Sequence, residues 1–379
     1  MKHFHFIGIG GISMSSLACI LKSRGYEVSG SDIKETPITR SLEEQGISVA
    51  IGQRAENIGP SIDVAVYTAA VHEDNPELIQ ARRSVPRVIE RSVLLGELMD
   101  EYEHSIGIAG THGKTSTSTM LSYIFLETDK DPTITIGGIL ENLHSNYRIG
   151  RSSYFIAEAC EYSDSFLHFH PQIGIVLNVE AEHLDYFKTY ERMVDSFRKY
   201  VAGLKPGGCL ILNYDYQSLF PDYQGQMLTV SLQNAQADLT AARVEPAEDH
   251  LGSHFDCIYK GQNLGRLTIH VPGSHNIFDC LCAVGAALWS GVSFEEIRRG
   301  LSKYRSPKKR FEFKGMFQGA KVIDDYAHHP SEIRATLQAA KEVAERDLYV
   351  VFQPHTYSRT KAFFHDFVKI GRASCRERV

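Results

Sequence analysis

Apolar positions in this chain gather in short runs, each ending at a glycine or polar turn and each followed by a stretch repeating every three to four residues. Lys2 to Ile9 reads as a strand, Gly8-Ile-Gly-Gly-Ile-Ser as a turn, and Met14 to Lys22 as a helix stopped by Gly25. A second strand, Tyr26 to Ser29, ends at Asp32. Ile62 to Thr68 is a further strand, and Asp74-Asn-Pro-Glu opens another helix. The run from Ile106 ends in glycines before a helix through Leu121 and Ile124, and Ser153 to Ala157 and Ile173 to Asn178 are strands ending in polar residues. From Asp238 to His270 the segments shorten and alternate around Gly252, Gly261 and Gly265, which predicts a β-rich excursion. Pro272-Gly-Ser-His-Asn then starts a long helix, Ile277 to Trp289. Val322 to Asp325, a helix from Ser331 to Ala344, Leu348 to Phe352 and a helix from Lys361 to Lys369 begin the alternation again. The pattern predicts an α/β architecture with parallel sheets: a Rossmann-like opening, a central nucleotide domain and an incomplete Rossmann-like unit at the end.

With 379 residues the chain has room for two or three domains. A formal charge of -6 gives no general basic field, so nucleic acid is not an expected partner. No apolar segment reaches the roughly 18 residues of a membrane span, and nothing resembles a signal peptide. The seven cysteines are dispersed, and Cys280 and Cys282 point apart on a helix, as buried free thiols do. Cytoplasmic residence is the expectation.

The chemistry centres on Ile106-Gly-Ile-Ala-Gly-Thr-His-Gly-Lys-Thr-Ser-Thr117. Strand, glycine loop and helix follow in the order of a phosphate-binding loop, though in the shorter form G-x-x-G-K-T. Gly110 and Gly113 let backbone N–H groups face phosphate oxygens, with Thr111, His112 and Ser116 beside them. Lys114 reaches the terminal phosphates and the Thr115 hydroxyl suits Mg²⁺. Parallel strands carry their chemistry at their C-terminal ends, so Glu158, Asn178, Glu180, His183 and Asp185 are expected near Thr115 as a site for hard divalent ions. His275 and Asn276, at the start of the long helix, either cap it or face a nucleotide. In the first hundred residues Gly8, Gly10, Gly11, Ser13, Asp32 and Thr68 surround a turn able to cradle a pyrophosphate. That turn also admits a rival reading, an NAD-dependent oxidoreductase, which leaves Lys114 without a role. A non-catalytic nucleotide-binding module is a second rival.

The order Gly-Thr-His-Gly-Lys-Thr, Asn178-Val-Glu-Ala-Glu-His-Leu-Asp-Tyr, Gly273-Ser-His-Asn276, Asp324-Asp-Tyr-Ala-His-His-Pro and Phe352-Gln-Pro-His resembles the Mur ligases of peptidoglycan synthesis. The resemblance covers residues 1 to about 369. It implies a UDP-sugar-binding domain over 1–103, a central ATP-binding domain over 104–309 and a partial amino-acid-binding, ATP-closing domain over 310–369. Residues 370–379 match nothing in the family and are expected to be a foreign end on a shortened chain. The implied substrates are ATP, UDP-N-acetylmuramate and L-alanine, with a tripeptide in place of alanine as the alternative. The resemblance implies that Lys114 and Thr111 hold phosphates and that Thr115, Glu158 and His183 ligate Mg²⁺, with Lys114 and His183 catalytic. It places His275 and Asn276 at adenine, and brings Arg310, Asp325 and His328 to ATP. It sets His355 and Arg359 near L-alanine.

Overall fold

The computed structural model describes residues 2–248, 251–344 and 346–374. Its first sheet has five parallel strands, β1 (His3–Ile7), β2 (Glu27–Asp32), β3 (Ser48–Ile51), β4 (Val64–Tyr67) and β5 (Arg87–Glu90), in the order β3-β2-β1-β4-β5. The connections leave β1 in opposite directions, so a crevice opens at its C-terminal end, where the glycine turn lies. Helices Ile12–Ser23 and Arg91–Asp100 bury their apolar faces against this sheet and run its core into that of the next unit.

The second sheet has ten strands: β6 (His104–Ala109), β7 (Thr133–Leu140), β8 (Ser145–Arg148), β9 (Tyr154–Glu158), β10 (Ile173–Val176), β11 (Cys209–Asn213), β12 (Gln226–Val230), β13 (Leu239–Pro246), β14 (Ser253–Tyr259) and β15 (Gln262–Ile269). Their order is β15-β14-β13-β12-β11-β10-β6-β9-β7-β8. The middle strands are parallel, and β13 to β15, which pair antiparallel, form the β-rich excursion expected from Asp238 to His270. Ile106 and Ile108 of β6 are completely buried, which explains the unbroken apolar run. One face of the sheet packs on helices Lys114–Phe125, Ser274–Trp289 and Phe294–Lys303, and the other on Tyr190–Ala202. Strand β6 sits between β10 and β9, a second point at which the winding reverses, and the phosphate loop leaves from its end.

After residue 309 the architecture departs from expectation. Val322 to Asp325 belongs to an antiparallel hairpin, β16 (Glu312–Phe317) with β17 (Ala320–Asp324), rather than to a parallel sheet. Leu348 to Phe352 is not a strand. No neighbouring strand among the described residues offers it hydrogen bonds, and Val351 is fully exposed. The expected Lys361–Lys369 helix is two, Tyr357–Ala362 and Phe364–Ser374. The second helix carries Ile370 under Ile333 and Leu337, so Ile370 lies in the apolar cluster that helix Pro330–Val343 forms. Residues 375–379 lie outside the described residues.

Candidate active site

The phosphate loop is held open by its neighbour strand. The Asn178 side chain accepts the His112 N–H at 2.8 Å and donates to the His112 carbonyl at 3.1 Å. Gly110 and Gly113 have φ of 140° and 85°, conformations that favour glycine, and a Cβ at Gly113 would lie 2.6 Å from Asp279. The first N–H groups of helix Lys114–Phe125 then have no partner inside the helix and are available to anionic oxygens.

Thr111 braces the loop: its hydroxyl donates to the Glu180 carbonyl at 3.1 Å and accepts the Glu180 N–H at 2.9 Å, while its own N–H goes to the Asn178 carbonyl. Lys114 Nζ folds over the loop, bonding the carbonyls of Gly110 and Thr111 and, at 2.8 Å, Glu161 Oε2. Burial opposes its charge, but the Glu161 carboxylate outweighs this and holds the ammonium above its usual range.

Thr115 and Glu158 meet as expected: the Thr115 hydroxyl donates to Oε2 at 3.2 Å, with Ser118 and the Gly137 N–H on Oε1. His183 does not join them directly. Its Nε2 faces Glu161 Oε1 at 3.6 Å, and burial pulls its pKa down, favouring the neutral imidazole that a metal requires. Glu161 was missed because it lies three residues beyond the end of β9, past the point at which strand-end reasoning stops. Thr115 pairs with Glu158 and Glu161 with His183, oxygen ligands and one imidazole of the types that suit a hard divalent ion.

Two cavities share the loop as a wall. The larger, 320 Å³, is lined by Gly113, Ser116, His275, Asn276, Arg310 and Asp325, among others. His275 is kept neutral by burial and receives the Asn276 amide at 3.0 Å. Asp325 accepts the N–H groups of Phe311 and Ala327 and so shapes the joint into the last unit, while Arg310 lies over the Tyr326 ring. The smaller cavity, 180 Å³, gathers Lys114, Thr115, Glu161, His183, His328 and Arg359. His112 lines both; its Nδ1 lies 3.0 Å from Glu332 Oε1 and its Nε2 3.0 Å from the Ser331 hydroxyl, at the start of helix Pro330–Val343. His112, Glu180 and His329 also place three metal-capable atoms within 4.8 Å, but those two bonds already occupy both His112 nitrogens.

Family models match three successive stretches: "Mur ligase family, catalytic domain" over residues 3–103, "Mur ligase middle domain" over 108–287 and "Mur ligase, glutamate ligase domain" over 309–377. UDP-N-acetylmuramate–L-alanine ligase of Agathobacter rectalis is 45% identical, over 97% of this chain and 80% of that one. The chain belongs to the Mur ligase family. The corresponding Clostridium perfringens enzyme is 44% identical with the same coverage. Among solved structures, UDP-N-acetylmuramate-alanine ligase from Thermotoga maritima matches with a TM-score of 0.81 at 29% identity, covering 96% of this chain and 83% of that one. The UDP-N-acetylmuramate:L-alanyl-gamma-D-glutamyl-meso-diaminopimelate ligase from Neisseria meningitides gives 0.72 at 28%, covering 81% and 99%. The Mur ligase match runs through residue 377, past Lys369, where the sequence resemblance was expected to stop.

The remaining predicted residues of this Mur ligase divide in two. Gly8, Gly10, Gly11, Ser13, Asp32 and Thr68 do assemble at the end of β1. Asp32 Oδ2 accepts the Gly10 N–H at 2.8 Å, Thr68 packs at Gly8, and Ser13 receives Arg91, which sequence reasoning overlooked. His355 is exposed and lines neither cavity, and its carbonyl accepts from Arg359 at 3.2 Å. No described helix is long and apolar enough to cross a membrane.

Proposed function

We propose that this Mur ligase joins L-alanine to the carboxylate of UDP-N-acetylmuramate at the expense of ATP, a step of peptidoglycan precursor synthesis. The observation that carries the reading is the shared wall. A nucleoside-sized cavity and a small charged one meet at Gly113, and Arg359 borders the second, so phosphates, an acid and an amino acid can meet within a few ångströms. The UDP-sugar takes the β1 turn, ATP the larger cavity through His275, Asn276 and Arg310, and alanine the Arg359 side. Cytoplasmic residence accords with these substrates.

A carboxylate does not condense with an amine in water. A sugar carboxylate oxygen attacks the γ-phosphorus of ATP and ADP leaves, giving an acyl phosphate. The alanine nitrogen then attacks the acyl carbon, the tetrahedral adduct expels phosphate, and the nitrogen loses a proton to leave an amide. Lys114 and the N-terminal N–H groups of its helix neutralise charge on the transferred group, and enclosure of the smaller cavity keeps water from the intermediate. When bound, Mg²⁺ supplies further neutralisation; Thr115, Glu158, Glu161 and His183 would hold it. Asp32 bonds its own turn, which favours a structural part for it over the ribose recognition of the oxidoreductase reading.

The test is phosphate release with UDP-N-acetylmuramate, ATP, Mg²⁺ and each amino acid in turn. Release that requires L-alanine is the expected result; release that requires a tripeptide instead, or none with any acceptor, refutes the assignment.

A further inference from the structure

Glu182 has no role in the chemistry above, yet it is buried at the edge of the smaller cavity, one residue before His183. Its Oε1 accepts two hydrogen bonds from Arg359, from Nε at 3.0 Å and Nη2 at 2.9 Å. Its Oε2 faces His329 Nε2 at 3.5 Å, and neither of these buried atoms has a hydrogen-bond partner among the described residues. The third guanidinium nitrogen, Nη1, donates to the His355 carbonyl. One edge of Arg359 is thus fixed by a carboxylate 177 residues away in sequence. A guanidinium has five donors in a rigid fork, so an arginine held this way keeps one N–H on each Nη for a second carboxylate.

We propose that Glu182 is a positioning residue for the amino-acid substrate: it orients Arg359 so that the terminal edge of the guanidinium receives the carboxylate of L-alanine. This rests on the assignment of Arg359 to alanine made above. Because Glu182 and His183 are consecutive, one loop then sets both the amino-acid clamp and the imidazole on the phosphate side. An error in that loop displaces both at once.

The test is a double-mutant cycle read by initial rates of phosphate release against each substrate, with Glu182→Gln, Arg359→Ala and the pair. Glu182→Gln keeps the volume and loses the charge. Its KM for L-alanine is expected to rise about tenfold, with KM for ATP and UDP-N-acetylmuramate within about twofold of the parent, and it should add nothing in the Arg359→Ala background. If thermal melting shows that Glu182→Gln is unfolded, Glu182→Asp, which keeps charge at shorter reach, reads the same quantity. An unchanged alanine KM, or an equal rise in all three, overturns the proposal. Arg359→Ala with unchanged alanine KM overturns the Arg359 assignment and the proposal with it; an effect of Arg359→Ala beside a silent Glu182→Gln overturns the proposal alone.

Discussion

Lys114 Nζ lies 2.8 Å from Glu161 Oε2, and Glu161 Oε1 lies 3.6 Å from His183 Nε2, so one almost fully buried carboxylate holds together a phosphate-binding cation and the neighbouring imidazole. Exchange of Glu161 for phosphate oxygens costs Lys114 little electrostatically, since one anion replaces another. Lys114→Ala is expected to lower phosphate release by roughly 10²- to 10³-fold. UDP-N-acetylmuramate binding, measured by calorimetry, should stay unchanged because none of the ammonium's hydrogen bonds is to the β1 turn. Near-normal turnover in this variant would remove Lys114 from the chemistry.

Metal dependence separates the two parts of the donor set. Glu158→Ala and His183→Ala should each raise the Mg²⁺ concentration for half-maximal rate by about 10- to 100-fold. A Mg²⁺ titration of initial rate checks this. If both curves coincide with the parent, the metal binds elsewhere.

The His112–Glu332 contact should impose a pH limit on docking of the last unit. Burial opposes charge on His112, yet Glu180 and Glu332 outweigh it and push the imidazole up to about 9. Burial likewise opposes ionisation of Glu332, and His112 outweighs it, taking the carboxyl below its usual range. An imidazole raised from an ordinary value near 6.5 contributes stability fully below that pH and loses it as pH rises through about 9. A depressed carboxyl contributes above its ordinary value near 4.5 and loses stability as pH falls below it. The contact is therefore fullest between those two ordinary values. Hydrogen exchange in helix Pro330–Val343, corrected for intrinsic rate, should accelerate as pH rises from about 6.5 through about 9 and level off beyond it. Glu332→Gln should weaken docking by on the order of 2 kcal/mol at pH 6 and flatten that alkaline dependence.

The first unit offers a test of stability alone. Glu77 is 0% exposed and accepts from His5 Nε2 at 2.7 Å, the Ser31 hydroxyl at 2.7 Å and the Asn57 amide at 3.2 Å. Glu77→Ala leaves three groups without their acceptor and opens a cavity, at a cost of about 3 to 5 kcal/mol. Thermal melting should show the loss; a melting temperature equal to the parent's would mean that water or a shifted side chain replaces the carboxylate.

Features legible in the sequence are those whose signal is local. Gly110, Gly113, Lys114 and Thr115 announce themselves because the loop's backbone demands glycine at two positions and the helix start demands its neighbours. The bond from the Thr111 hydroxyl to Glu180, 69 residues on, has no such local signal. Glu161 and Glu182 have no local mark. The first precedes an irregular turn in which Ser163 and Asp164 have left-handed φ, and the second meets Arg359 only across 177 residues of chain. Leu348–Phe352 has the apolar content of a strand, but strand formation depends on a paired neighbour, which composition does not record.

The His112–Glu332 bond joins residues 220 positions apart. Local segments such as helix Lys114–Phe125 can form early, whereas closing a chain loop of that length must wait until both flanking units are compact. Recovery of nucleotide binding after dilution from denaturant should therefore lag behind recovery of helical circular dichroism. During biosynthesis, the phosphate loop would emerge and fold long before the helix that completes its wall has been made.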